Sequence, residues 1–347
     1  MRIADWSPEA GRALIIAEAG VNHNGDVVLA RRLVQEAATA GADAVKFQTF
    51  SAHRIATSDA PKAPYQLTTT DATETHVQML ERLELAPACY PELMALCREV
   101  GIVFLSTPYD AEDVDFLVGL DVPAIKLASM HVVETAMLRH AALTRRPILL
   151  STGMATLAEV DRAIRTIAES GHQDIALLHC TTDYPAQLVD ANVRAITTLR
   201  AAFALPVGFS DHTTTTTASV VAIGLGACVI EKHFTVDKSL PGPDQAASAS
   251  PDEFAAFVSA IRDAEKALGT GRKEPMPSEL RNRQTMRRSI VARVLIRAGE
   301  QITAEQLAYK RPAIGVCPDE IDSVLGSRAR VDIVADQALH WWMLERT

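Results

Sequence analysis

Eight short apolar runs, each ending in polar residues and each followed by a stretch with helical spacing, most narrow what this chain can fold into. The runs are Leu14–Ala19, Ala44–Phe47, Ile102–Leu105, Ala124–Leu127, Ile148–Leu150, Ile175–Leu178, Val207–Phe209 and Cys228–Ile230. Apolar runs of this kind, rich in valine, isoleucine and leucine, mark strands covered on both faces, the pattern of a parallel sheet. Between and after them, Val27–Ala40, Thr75–Leu83, Tyr90–Val100, Thr156–Glu169 and Pro251–Leu268 read as helices. Eight alternations over about 270 residues predict a (β/α)8 TIM barrel. An open doubly wound sheet is the rival architecture. Against it, no GxGxxG follows the first run, and polar residues end every run instead of gathering at one crevice.

The chain has 347 residues, enough for a barrel of about 250 and a small appendage. Glycine, proline and charge break the pattern at Gly269–Pro277, which reads as a linker. The expected organisation is a barrel over 1–270, a linker over 271–285 and a small domain over 286–347. In that last part Ser289–Ile296 reads as a strand, and Thr303 with Gln306 has capping-box spacing. Some 60 residues are marginal for independent stability, so this lobe is expected to pack on the barrel or on a partner subunit.

A net charge of −9 with no basic stripe argues against a nucleic-acid partner. The arginines of 281–288 read as a solvated linker face. Five cysteines make an odd count without a CxxC pair, and Cys180 and Cys228 read as buried small hydrophobes. With no signal-peptide pattern and no membrane-length apolar run, a cytoplasmic location is expected.

In such a barrel the working side chains come from the C-terminal strand ends and the loops after them. These positions hold Glu18, Lys46, Gln48, Thr107, Lys126, Ser129, Ser151, Thr182, Tyr184, Ser210, Asp211, His212, Glu231, His233 and Asp244. His212 and His233 follow the last two runs at matching positions, and two imidazoles on neighbouring strands can hold one divalent cation. The alternative has each histidine capping its strand. Lys46 and Lys126 lie within apolar runs, where lysine needs a partner. With the surrounding hydroxyls they suit a phosphate and a carboxylate; structural ion pairs with Glu18 or Glu231, or a Schiff-base nucleophile, are the other readings. The polar insertion Ser51–Glu74 is expected to cover the site, and Thr213–Thr217 to open a helix of the barrel wall.

The stretches IIAEAGVNHNGD, VKFQTF, LSTPYD, IKLAS, STGM, LLHCTTDYP, GFSDHT and IEKHFTVDKSLPGPDQAAS resemble, in order, the signatures of the sialic acid synthase (N-acetylneuraminate synthase) family. RRSIVARVLIRAGEQIT through YKRPAIG is similar to the antifreeze-like (SAF) domain of those enzymes. The resemblance implies condensation of phosphoenolpyruvate with a 2-acetamido sugar aldehyde such as N-acetylmannosamine, giving a nine-carbon 2-keto acid. It implies a divalent metal on His212 and His233, of manganese type, with magnesium or cobalt as alternatives. It assigns Lys46, Thr107, Lys126, Ser129, Ser151, Thr182 and Ser210 to phosphoenolpyruvate. Gln48, Tyr184 and Asp244 fall to the sugar, and Glu18 to the reacting carbons. Arg311 matches an arginine that the tail offers to the other subunit of a domain-swapped homodimer. Two residues after IKLAS, where that family carries a carboxylate, stands His131; it is expected to act as the base for water, with Glu134 as alternative. Legionaminic- or pseudaminic-type acceptors, and a catalytically retired sugar-binding protein, are the other functions considered.

Overall fold

The structure, a computed structural model, describes residues 1–71 and 73–345, without the side chain of Thr68. It divides into two compact units, Met1–Gly269 and Thr270–Thr347.

In the first unit the strands are β1 Leu14–Gly20, β2 Ala44–Thr49, β3 Val103–Pro108, β4 Ile125–Leu127, β5 Ile148–Ser151, β6 Ile175–Cys180, β7 Val207–Asp211 and β8 Val229–His233. They pair in parallel in the order β3-β2-β1-β8-β7-β6-β5-β4, and β3 lies beside β4 to close the ring. The predicted (β/α)8 barrel is the fold. Helices follow the strands and start where short polar side chains cap them. Asp26 accepts from the Val28 N–H, Thr156 shares a capping box with Glu159, and Ser250 does so with Glu253 ahead of Pro251–Leu268. Each reciprocal cap satisfies two backbone donors that would otherwise lack partners.

Successive strand residues point to opposite faces, and this alternation divides the barrel into two cores. Outward residues such as Ile15, Ala17, Val45, Phe47, Ile125, Leu150, Leu177, Phe209 and Ile230 pack under the helices. Inward residues Leu14, Ile16, Ala44, Leu105, Ala124, Leu149, Ala176, Leu178 and Val229 form a second cluster, joined by Ile3 and Trp6. Those two meet in a small N-terminal turn, Ile3 N–H to Trp6 oxygen at 2.9 Å. The inward face is therefore apolar toward the strand N-termini. Its next residues along each strand are the polar ones.

The second unit has its own core of Ile290, Ile296, Ile302, Leu307, Val316, Val324, Ile333, Leu339 and Met343. An antiparallel pair, β9 Ser289–Ala292 with β10 Leu307–Lys310, frames it. Half of the expected capping box is present: Gln306 Oε1 accepts from the Thr303 N–H at 3.0 Å, while the Gln306 N–H goes to the Thr303 carbonyl oxygen rather than to its hydroxyl. Residues 281–286 lie in an exposed helix, Leu280–Met286. Among the described residues, no helix is long and apolar enough to cross a membrane.

Candidate active site

The inward polar residues open into one cavity of about 290 Å3, the size of a small-molecule site. Glu18, Lys46, Gln48, Thr107, Lys126, Ser129, Ser151, Tyr184, Ser210, His212, His233 and Asp244 all line it. Strand register brings them together: Glu18 stands opposite both Lys46 and His233, Gln48 opposite Thr107, and Ser210 opposite Glu231.

At its centre Glu231 lies between the two lysines. Its carboxylate is 3.7 Å from Lys46 Nζ, 3.5 Å from Lys126 Nζ, and accepts from Ser210 Oγ at 2.7 Å. Lys46 also contacts Glu18 Oε2 at 2.6 Å and donates to Thr107 Oγ1 at 2.9 Å; Lys126 donates to Ser151 Oγ at 2.7 Å. All four charged groups are buried. Burial works against the Lys46 charge, but Glu18 and Glu231 outweigh it and hold the ammonium above its ordinary pKa. Burial lowers Lys126. Glu231 is pulled down by its two lysines against the effect of burial, whereas burial raises Glu18 despite Lys46. The ion-pair reading of the lysines and the anion-site reading therefore describe one cluster.

Beside it, Gly153 N–H donates to Ser129 Oγ at 2.9 Å, and Ser129 Oγ lies 3.2 Å from Cys180 Sγ. A Cβ at Gly153 would come within 2.3 Å of Thr182 Oγ1 and 2.9 Å of Ser129 Oγ, so only glycine lets these groups close in. Thr182 itself is exposed and outside the cavity lining. Cys180, expected as a core hydrophobe, is buried but faces inward at the cavity.

The rings of His212 and His233 lie 5.4 Å apart at 65°. Tyr184 packs on both, at 4.3 and 5.4 Å. His212 Nδ1 is 2.6 Å from the Thr181 carbonyl oxygen, which can only accept, so Nδ1 carries the proton and Nε2 a lone pair. Ser210 Oγ is 3.3 Å from that Nε2, but its one proton goes to Glu231. His233 Nδ1 is buried without a hydrogen-bond partner among the described residues; Asp244 Oδ2 is 3.8 Å away. Burial lowers both imidazole pKa values, keeping the rings neutral as metal binding requires. No group of three or more histidine, cysteine or carboxylate side chains that could hold a metal occurs among the described residues. Two neutral imidazoles with unclaimed nitrogens fit a cation that takes its other ligands from water and substrate oxygens.

The neighbouring strand residues face the other way. Asp211 accepts from Thr213 N–H, Thr213 Oγ1 and Ser219 Oγ, and pairs with Lys232 at 3.3 Å. Lys232 in turn donates to the Thr213 oxygen at 2.6 Å. These contacts secure the turn before helix Thr217–Gly224, in keeping with the expected place of the threonine run.

Residues of the insertion 51–74, in which Ala72 lies outside the described residues, and of helix His76–Glu81 with the turn after it form one cavity wall. Tyr65, Gln66, His76, Met79, Leu80 and Leu83 face inward there. Lys62 ties this wall together, donating to Thr70 Oγ1, the Asp71 oxygen and Glu74 at 2.6–2.9 Å. Met79 and Leu83 join Val21, with Phe50 and Leu80, in an apolar cluster at this end.

His131 does not reach the cavity. It is fully buried, Nδ1 2.8 Å from Glu134 and Nε2 3.2 Å from the Pro108 oxygen, so both ring nitrogens are engaged behind the wall. Arg311 is an exposed residue of the second unit. Tyr65 and Tyr109 line the cavity without having been singled out from the sequence, where an aromatic residue in a loop or short helix reads as core.

A model of the NeuB family matches residues 33–273, and one of the SAF domain matches 287–345. The chain is 45% identical over 335 residues to an N,N'-diacetyllegionaminic acid synthase of Legionella pneumophila, covering 95% of this chain and 94% of that protein. It is 34% identical over 337 residues to an N-acetylneuraminate-9-phosphate synthase of Mus musculus, with 96% and 93% covered. Among solved structures, an N-acetylneuraminic acid (sialic acid) synthetase from Leptospira borgpetersenii, in complex with citrate, aligns with a TM-score of 0.71 at 31% identity, over 81% of this chain and 94% of that one.

Proposed function

Because this chain belongs to the NeuB family, we infer that it condenses phosphoenolpyruvate with the open-chain aldehyde of a 2-acetamido sugar, giving a nine-carbon 2-keto acid and phosphate. One observation carries this reading: two buried lysines around a single carboxylate share a cavity with two imidazoles that each keep one nitrogen unclaimed, Nε2 of His212 and Nδ1 of His233.

Lys46 and Lys126, with Thr107, Ser129, Ser151 and Ser210, bind the phosphate and carboxylate, and Thr182 stands at the edge of that group. Gln48, Tyr184 and Asp244 face the sugar. C3 of the enol attacks the aldehyde carbon, and the positive charge that develops at C2 is offset by Glu18. Water then adds at C2. Glu18, whose raised pKa makes it the stronger base of the two central carboxylates, takes the water proton. The C–O bond to phosphate breaks with its electron pair going to the leaving group beside the lysines; the remaining C2 hydroxyl proton passes to that phosphate, and the proton held by Glu18 ends on the former aldehyde oxygen. A manganese-type cation held by His212 and His233 supplies Lewis-acid polarisation of the aldehyde oxygen when bound. Lys46 is electrostatic, because its paired ammonium has no lone pair to offer a carbonyl. The assignment of Arg311 to the sugar across a domain-swapped homodimer rests on the family resemblance alone.

Two observations favour a legionaminic-type acceptor over N-acetylmannosamine. Identity is higher to the diacetyllegionaminic acid synthase than to the neuraminate-9-phosphate synthase. The Val21, Phe50, Met79, Leu80 and Leu83 end of the cavity suits the methyl group of a diacetamido trideoxyhexose better than a hydroxymethyl. The test is phosphate release from phosphoenolpyruvate with N-acetylmannosamine, mannose or diacetamido trideoxyhexoses, with and without Mn2+. Release should require both sugar and metal and be fastest with a diacetamido sugar. Metal-independent release, or a borohydride-trapped adduct on either lysine, would overturn the mechanism; preference for N-acetylmannosamine would overturn the acceptor.

A further inference from the structure

Glu18 has two neighbours that fix its position, Lys46 on one oxygen and the side-chain amide of Gln48 on the other, Gln48 Nε2 lying 3.4 Å from Glu18 Oε1. An amide can present either its N–H or its carbonyl; in the ionised form that accepts a proton from water, Glu18 can only accept, and Nε2 then faces it. That leaves Gln48 Oε1 facing Tyr109, whose hydroxyl lies 3.0 Å away and donates to it. The Gln48 backbone is anchored separately, its carbonyl accepting from Tyr90 OH at 3.2 Å.

The backbone leaves room for this junction. After Glu18 the β1–β2 register slips, and Gly20 takes φ +52°. A Cβ there would stand 3.3 Å from Glu18 Oε1 and 3.4 Å from Gln48 Nε2, where the two side chains meet. Tyr109 is braced from two sides. Phe50 meets its ring edge-on at 5.7 Å, and His131 meets it at 6.1 Å. His131 is itself locked between Glu134 and the Pro108 oxygen, so the phenol is held by a packed, hydrogen-bonded support.

We propose that Tyr109 is a positioning residue of the condensation: its hydroxyl fixes the Gln48 amide with the N–H toward Glu18, and so aims the carboxylate at the reacting carbons. His131 acts further back, as the prop of the Tyr109 ring. The proposal rests on the role given to Glu18 above.

Tyr109→Phe keeps the ring and removes only the donor. Turnover of the full-length enzyme with its best acceptor should fall about tenfold, while KM for phosphoenolpyruvate and the melting temperature stay at wild-type values. In a Gln48→Leu background the same change should have no further effect, because the amide it orients is gone. A Tyr109→Phe enzyme as fast as the wild type, or an equal loss in both backgrounds, overturns the proposal. Wild-type turnover run alongside tests the condensation itself. A wild type that releases no phosphate sinks that reading and this one with it, whereas an active wild type with an equally active variant sinks only this one.

Discussion

His23 sets a pH dependence that has nothing to do with the reaction. It is fully buried; Nδ1 accepts from the Gly25 N–H at 3.0 Å, and Nε2 has no partner among the described residues. Burial pushes its pKa down to about 4. From pH 6.5 down to 4 the unfolded chain binds a proton here that the folded chain refuses, so stability falls as pH falls through that window. The loss is on the order of 3 kcal/mol once both pKa values are passed. Urea denaturation at pH 7 and pH 4.5 should show a smaller difference for His23→Gln than for the wild type. Equal differences would place the acid sensitivity elsewhere. His131 is the contrasting case. The sequence placed His131 at the water step, but the structure shows it buried between Glu134 and the Pro108 oxygen, outside the cavity lining.

At the scale of the strand, the β7–β8 contact decides whether the two histidines face each other. A Cβ on Gly208 would lie 2.5 Å from the Val229 oxygen and 2.7 Å from Val229 Cβ, and the carbonyl is main chain that cannot swing aside. Gly208→Ala should therefore cost on the order of 1–3 kcal/mol, read as a lower denaturation midpoint. An unchanged midpoint would mean that the strands part without penalty. The barrel and most helices were legible because their signals are local: apolar runs, caps and a proline at the first helical turn, as at Ser250-Pro251. The strand ends were less so. Apolar runs alone stopped at Phe47, Leu105, Leu178, Phe209 and Ile230, whereas the strands continue through Thr49, Pro108, Cys180, Asp211 and His233. Most of the added residues are polar, and they are tolerated within the sheet because each finds a partner, inside the barrel for Thr107 and Ser210 and on the outer face for Asp211. Facing was harder still. Where both faces of a strand are covered by apolar groups, hydropathy does not tell Ser210 from Asp211 or Glu231 from Lys232. The cavity's apolar end was hidden for a related reason, since Met79 and Leu83 look like any helix stripe packed on a core.

For the whole molecule, the separate cores of the two units imply that Met1–Gly269 can fold without the rest. Every residue lining the cavity lies within it. The 1–269 fragment should unfold cooperatively and bind phosphoenolpyruvate, by calorimetry, as tightly as the full chain; loss of that binding would make the second unit part of the anion site. Charge has a consequence at this scale too. The chain carries −9 overall, and Lys46 and Lys126 already share an internal counterion in Glu231, with Glu18 and Asp244 close by. A multiply charged anion approaching from solvent meets a screened pair inside a negative body, so long-range steering contributes little to its capture. Uptake should then depend weakly on ionic strength, and affinity should come from the local exchange of one carboxylate partner for the substrate's own oxygens.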